Sequence, residues 1–126
     1  MSGVTVKSRD DLLTGLVSAG IAAQPFPGGT WSAPAVLISG ASPWIGEAMR
    51  DGTAEITWRL LAVGGGVDAA YAWDTVLGLV DELRAALLDL RGWRISNISP
   101  PGPLTMTDGR TYLAAEVFAQ TRMRGD

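Results

Sequence analysis

From Asp68 to Leu90 the chain holds its longest periodic run, and this run limits the folds open to it. Apolar residues recur at Trp73, Val76, Leu77, Val80, Leu83, Leu87 and Leu90, the spacing that puts side chains on one face of a helix. Asp74, Asp81, Glu82 and Asp89 fall on the other side, where water solvates them. Asp68 is placed to cap the first turn with its carboxylate, and Gly92 to end the helix in a left-handed residue. Such a helix is roughly 33 Å long, enough to cross a small sheet. It must bury its stripe on something, and the remaining chain supplies strands.

In chain order, Val4–Val6 reads as a short extended lead-in. Ser8 then opens a first helix, with Asp11 three residues on completing a capping box. Leu12, Leu13, Leu16 and Val17 give that helix its apolar face, and Gly20 stops it. Ile21–Phe26 reads as a short strand ended by the turn Pro27-Gly28-Gly29. Ala35–Ser39 is β-rich and apolar on both faces, which suits a central strand covered on both sides. Between Thr53 and Val63, Ile56, Trp58, Leu60 and Ala62 alternate with Glu55, Thr57, Arg59 and Leu61, a half-buried strand. Gly64-Gly65-Gly66 reads as a turn into the long helix. Trp93–Ile98 alternates and is a strand, and two prolines after Ser99 make the next segment a loop. Asp108-Gly109 forms a turn, and Thr111–Thr121 is the last strand. There Leu113, Ala115, Val117 and Ala119 share one face, small enough for a helix to approach closely. Residues 122–126 read as a frayed polar tail, in which Arg124-Gly125-Asp126 carries no adhesive role.

These elements predict an α+β fold: a mainly antiparallel sheet of four to five strands with two helices packed on one face. At 126 residues the chain reads as one domain, 1–126, large enough to bury a core without staples. It has no cysteine, so it forms neither disulfides nor thiolate metal sites. A formal charge of −3, with Lys7 the only lysine and the arginines scattered, argues against nonspecific nucleic-acid binding. No apolar run of about 18 residues is present to span a bilayer, and no charged region precedes an apolar core at the N-terminus. The expectation is a cytosolic protein, or one exported only inside an assembly.

The catalytic inventory is thin. Without histidine or cysteine, the commonest general base, nucleophile and zinc ligands are missing. Asp10 and Asp11 are explained by capping, and Asp81 and Glu82 by a solvated helix face. Glu55 and Glu116 lie mid-strand and read as outward residues, or as halves of a cross-strand ion pair with Arg59. The triple glycine lacks the lysine and spacing of a phosphate loop. These residues point away from an enzyme, and no catalytic, cofactor-binding or metal-binding residues are assigned. The positive signal is five tryptophans, with Trp31 and Trp44 in predicted loops, because tryptophan is enriched at interface hot spots. Gly40–Gly52 reads as a long loop carrying Trp44, Ile45 and Met49, all costly to leave in water. It either folds back on the core or buries these side chains against another chain. Arg84, at the edge of the long helix's stripe, either snorkels along the core or joins an interface.

The order of parts resembles the tail terminator proteins of long-tailed phages of actinobacteria over nearly the full length. The likeness is carried by Phe26-Pro27-Gly28-Gly29 with Ala35-Val36-Leu37-Ile38, the Ser42-Pro43-Trp44-Ile45 loop, and Tyr112-Leu113-Ala114-Ala115. It implies a virion protein, assembled in the host cytoplasm, forming a ring that is usually hexameric. Such a ring caps the tail tube, ends its polymerisation and presents the surface to which the filled head docks. The partners implied are further copies of the chain, the tube protein and a head–neck connector, with DNA passing through unbound and no membrane involved. In that reading the interface residues are Trp44, Ile45, Met49, Arg84 and Trp31. A head–tail connector or neck completion protein is the alternative, and a cytosolic small-ligand-binding domain a further one.

Overall fold

A computed structural model of the chain describes residues 4–25, 31–46, 53–106 and 109–124. The elements run α1 (Val4–Ser18), β1 (Ala23–Pro25), β2 (Ala35–Gly46), β3 (Thr53–Gly66), α2 (Ala72–Asp89), β4 (Trp93–Ile98), β5 (Gly102–Thr105) and β6 (Thr111–Arg124). The fold is α+β, but the sheet is larger than expected and mixed. Its order is β1-β2-β3-β6-β4, with β5 also pairing with β6, which makes six strands among the described residues. β1 runs parallel to β2, and the other pairs are antiparallel.

One face of the sheet carries both helices. Leu12 and Leu16 of α1 and Leu83 and Leu87 of α2 share a buried cluster with Val36, Ile38, Ile56, Leu60, Ala62, Val117 and Ala119. The alternation expected of β3 and β6 decides which side chains these are. A smaller cluster on the other face joins Leu37, Leu61, Val63 and Ala114 to Trp31, Leu104 and Tyr112. Val36, Leu37 and Ile38 are therefore buried from both sides, as their composition requires.

Several boundaries differ from the sequence reading. α1 starts at Val4, so Ser8 is no cap. It is fully buried mid-helix, donates to the Thr5 carbonyl at 2.8 Å and accepts from the Trp58 indole N–H at 3.0 Å. Asp11 pairs instead with Lys7 at 2.8 Å, one helical turn back. α2 starts at Ala72, and its N-cap Tyr71 makes no side-chain capping bond, so Asp68 lies outside the helix among turns. Gly20 and Gly92 take φ of +84° and +87°, the left-handed stops expected of them.

The triple glycine is the end of β3, with Gly65 opposite Leu113 and Gly66 opposite Tyr112. Glycine is needed at position 64 because α2 rests on it: a Cβ there would stand 2.5 Å from Val76 Cγ2 and 2.7 Å from the Ala72 carbonyl oxygen. The segment after the two prolines is a strand, β5, rather than a loop. Pro103 is tolerated there because only one side of β5 is paired among the described residues. β6 continues to Arg124, so the first part of the supposed tail is strand, while residues 125–126 and the turn at 27–29 lie outside the described residues.

Candidate functional site

The sequence placed Trp44 and Ile45 in a loop. Both lie instead in the second half of β2, beyond a register shift between Gly40 and Ile45, with Ile45 opposite Ile56. The irregularity bends the strand and re-aims its side chains. Trp44 turns over Gly40, where a Cβ would meet its ring at 3.4 Å, and stacks edge-on against Trp58 at 5.5 Å. It nevertheless stays 41% exposed, a large aromatic held in one orientation at the surface. Ile45 is half-buried against the main core. Met49, with residues 47–52, lies outside the described residues.

Trp31 sits elsewhere. It leans on Tyr112 at 5.2 Å and covers the smaller cluster on the face away from the helices. The structure therefore does not bring Trp31 and Trp44 together: they lie on opposite faces of the sheet. Arg84 is exposed on α2, lining a groove with Leu87, Leu88, Trp93, Arg94, Ile95 and Ile98 between that helix and β4. It forms no ion pair or hydrogen bond among the described residues.

The larger feature is the rest of α2. Its buried residues are Ala72, Val76, Leu83 and Leu87, a line displaced round the helix from the one expected. Trp73 and Leu77, expected inside, are 52% and 47% exposed, and Leu88 is 81% exposed. With about 100° of turn per residue, Trp73, Leu77, Arg84 and Leu88 lie within roughly 60° of arc, about 100° round from the buried line. A signal for this existed in the sequence. With Ala72, Ala86 and Leu88 included, apolar residues span about 200° of the helix, more than one stripe on a sheet can cover.

The strand order sets the two exposed surfaces apart. Among the described residues β4 ends the sheet on one side, with the Arg84 and Leu88 end of the α2 stripe beside it. On the other side β1 pairs with β2 only at Val36, Leu37 and Ile38, so among the described residues the Gly40–Gly46 half of β2 is itself an edge. Trp44 stands on that edge.

The open part of the far face is polar and internally paired. Arg59 meets Glu116 at 3.3 Å, the ion pair expected of it, and donates to Ser39 at 3.2 Å. Glu55 takes Arg122 at 3.5 Å and Arg94 at 3.7 Å, and accepts from Gln120 at 3.1 Å. Glu55 and Glu116 stand opposite Arg122 and Leu61 respectively, six positions apart along the same strand pair, so they do not form a carboxylate dyad. Among the described residues no three His, Cys, Asp or Glu side chains are grouped to hold a metal ion, and no helix is long and apolar enough to cross a membrane. The chain matches no protein-family model, and no curated protein shows significant similarity to it.

Proposed function

We propose that the protein is a structural subunit that closes with copies of itself into a ring, as tail terminators do. The observation that carries this reading is a pair of unlike exposed apolar surfaces: Trp44 on the edge half of β2, and Trp73, Leu77 and Leu88 along α2, whose Leu88 end borders β4 at the other edge of the sheet. A ring of identical subunits needs two different patches in head-to-tail contact, with a rotation that closes. Rigid exposed tryptophans suit this role, since they contribute contact area with little entropy left to lose.

The finer reading comes from the resemblance in element order. The ring, six copies in that family's usual form, sits on the last ring of a phage tail tube, stops its growth and offers its other end to a neck connector. The net charge of −3 suits a conduit that DNA traverses without sticking. The test is to add the purified protein to polymerising tube protein and measure tube lengths by electron microscopy. A terminator holds tubes short, in proportion to the amount added, and Trp44→Ala loses this effect while remaining folded. Tubes that grow unchanged, with the protein bound only to neck components, would identify a connector instead.

A further inference from the structure

The exposed stripe of α2 has an internal symmetry that ring closure does not require. Trp73, Leu77, Arg84 and Leu88 are separated by four, seven and four residues. The spacing is the same from either end, and its midpoint falls between Val80 and Asp81. Laid antiparallel against a copy of itself, the stripe falls in register with itself: Trp73 faces the partner's Leu88, and Leu77 faces the aliphatic stem of the partner's Arg84. The arrangement repeats about a two-fold axis at the midpoint, the geometry of an isologous contact.

Charge selects the same arrangement. Arg84 has no ionic partner in its own chain among the described residues. Asp74 and Asp81 lie along one rim of the stripe, and neither is ion-paired there. In the antiparallel arrangement the partner's Asp74 and the partner's Asp81 fall about 5 to 6 Å along the axis on either side of Arg84, at a rise of 1.5 Å per residue. The long guanidinium reaches both. The two Asp81 carboxylates meet across the axis and are offset by the arginines beside them, whereas a parallel arrangement sets Asp74, Asp81 and Arg84 each against its own like charge and is repelled.

The sheet edge below is less suited to pairing. β4 carries an irregularity between Ile95 and Asn97 that breaks its row of backbone groups, a common protection of edge strands. The contact therefore runs through the helices, at the 8–10 Å separation usual for packed pairs.

We propose that two copies of the chain pair through α2 about this two-fold axis. Such a pair occupies the flank that a ring would need for its head-to-tail contact. On the ring reading, on which this last consequence rests, the dimer holds the free protein back from closing until a template competes for that flank.

Cysteine scanning tests the pairing directly, because the chain has no native cysteine. Asp81→Cys lies beside the axis, within reach of the partner's position 81, whereas Asp74→Cys lies about 20 Å from its symmetry mate at 1.5 Å per residue. Under mild oxidation Asp81→Cys is expected to give a covalent dimer and Asp74→Cys none. Leu88→Glu is expected to raise the concentration at which the untagged protein dimerises by at least tenfold, read by sedimentation equilibrium. A folded Asp81→Cys variant that stays uncrosslinked overturns the inference, as does equal crosslinking at both positions. Native mass spectrometry separates this from the ring reading: dimers without rings sustain the pairing alone, and rings without an Asp81→Cys crosslink refute the pairing alone.

Discussion

Gly64→Ala tests how α2 is seated, and with it the position of the exposed stripe. An added Cβ would lie 2.5 Å from Val76 Cγ2, 2.7 Å from the Ala72 carbonyl oxygen and 3.1 Å from the Val76 backbone nitrogen. The first contact belongs to a β-branched side chain with little rotamer freedom in a helix. The other two are backbone atoms, so relief requires the first turn of α2 to lift off β3. Overpacking of this kind costs about 1–3 kcal/mol, and the upper end applies where backbone must move. The loss of glycine's freedom in the unfolded chain returns about 0.4–1 kcal/mol. The net expectation is about 2 kcal/mol of destabilisation, or a fall in Tm of about 6–12 °C for a chain of this length. Urea denaturation followed by circular dichroism measures it. Gly66→Ala is the matched control, since a Cβ there meets nothing within 4 Å, and it is expected to stay within about 0.5 kcal/mol of the parent. Equal stability of the two variants would refute the seating of α2 on Gly64.

Ser8→Ala strands the buried Trp58 indole N–H and is expected to cost about 1–3 kcal/mol, seen in the same denaturation curves. Trp44→Ala removes one edge-to-face ring pair, worth about 0.5–1.5 kcal/mol to the monomer. Its larger effect is on assembly: mixed with tube protein, Trp44→Ala should fail to form the ring on size-exclusion chromatography while its circular dichroism spectrum is kept. Glu55→Gln breaks two ion pairs whose arginines are mostly exposed, so the melting temperature should change by less than the effect of about 0.5 kcal/mol.

What the sequence revealed and what it concealed follow from the range of the interactions involved. The alternation at Ile56–Ala62 and Leu113–Ala119 decides its own face, so β3, β6 and the buried helix-bearing surface were readable. Trp93–Ile98 was readable to its ends for the same reason. At Ser8 the residue type favours a cap, while the Trp58 partner that holds it inside lies fifty residues away. Gly64 looked like a turn because glycine marks turns locally, and only the packed helix shows that it is there for clearance. The strand character of Gly40–Gly46 and of β5 depends on partners supplied by β3 and β6, against the local evidence of Ser42, Pro43 and Pro103.

The candidate surface was only half legible. Trp44 and Arg84 stand at exposed positions, but Trp31 is spent on Tyr112 in a second small core. The spacing of Trp73 and Leu77 fits a buried helix stripe, but spacing alone does not say which part of a wide apolar arc meets the sheet. That choice is made by Gly64, Ala72 and Val76, whose close approach fixes the rotation of α2.

The measurement that bears most directly on the central claim is native mass spectrometry of the purified protein across a concentration series, alone and with tube protein. A discrete closed species near six copies, lost in Trp44→Ala, is the predicted result. A chain that stays monomeric at every concentration with and without tube protein, or that grows into an open-ended ladder, would contradict assembly into a ring.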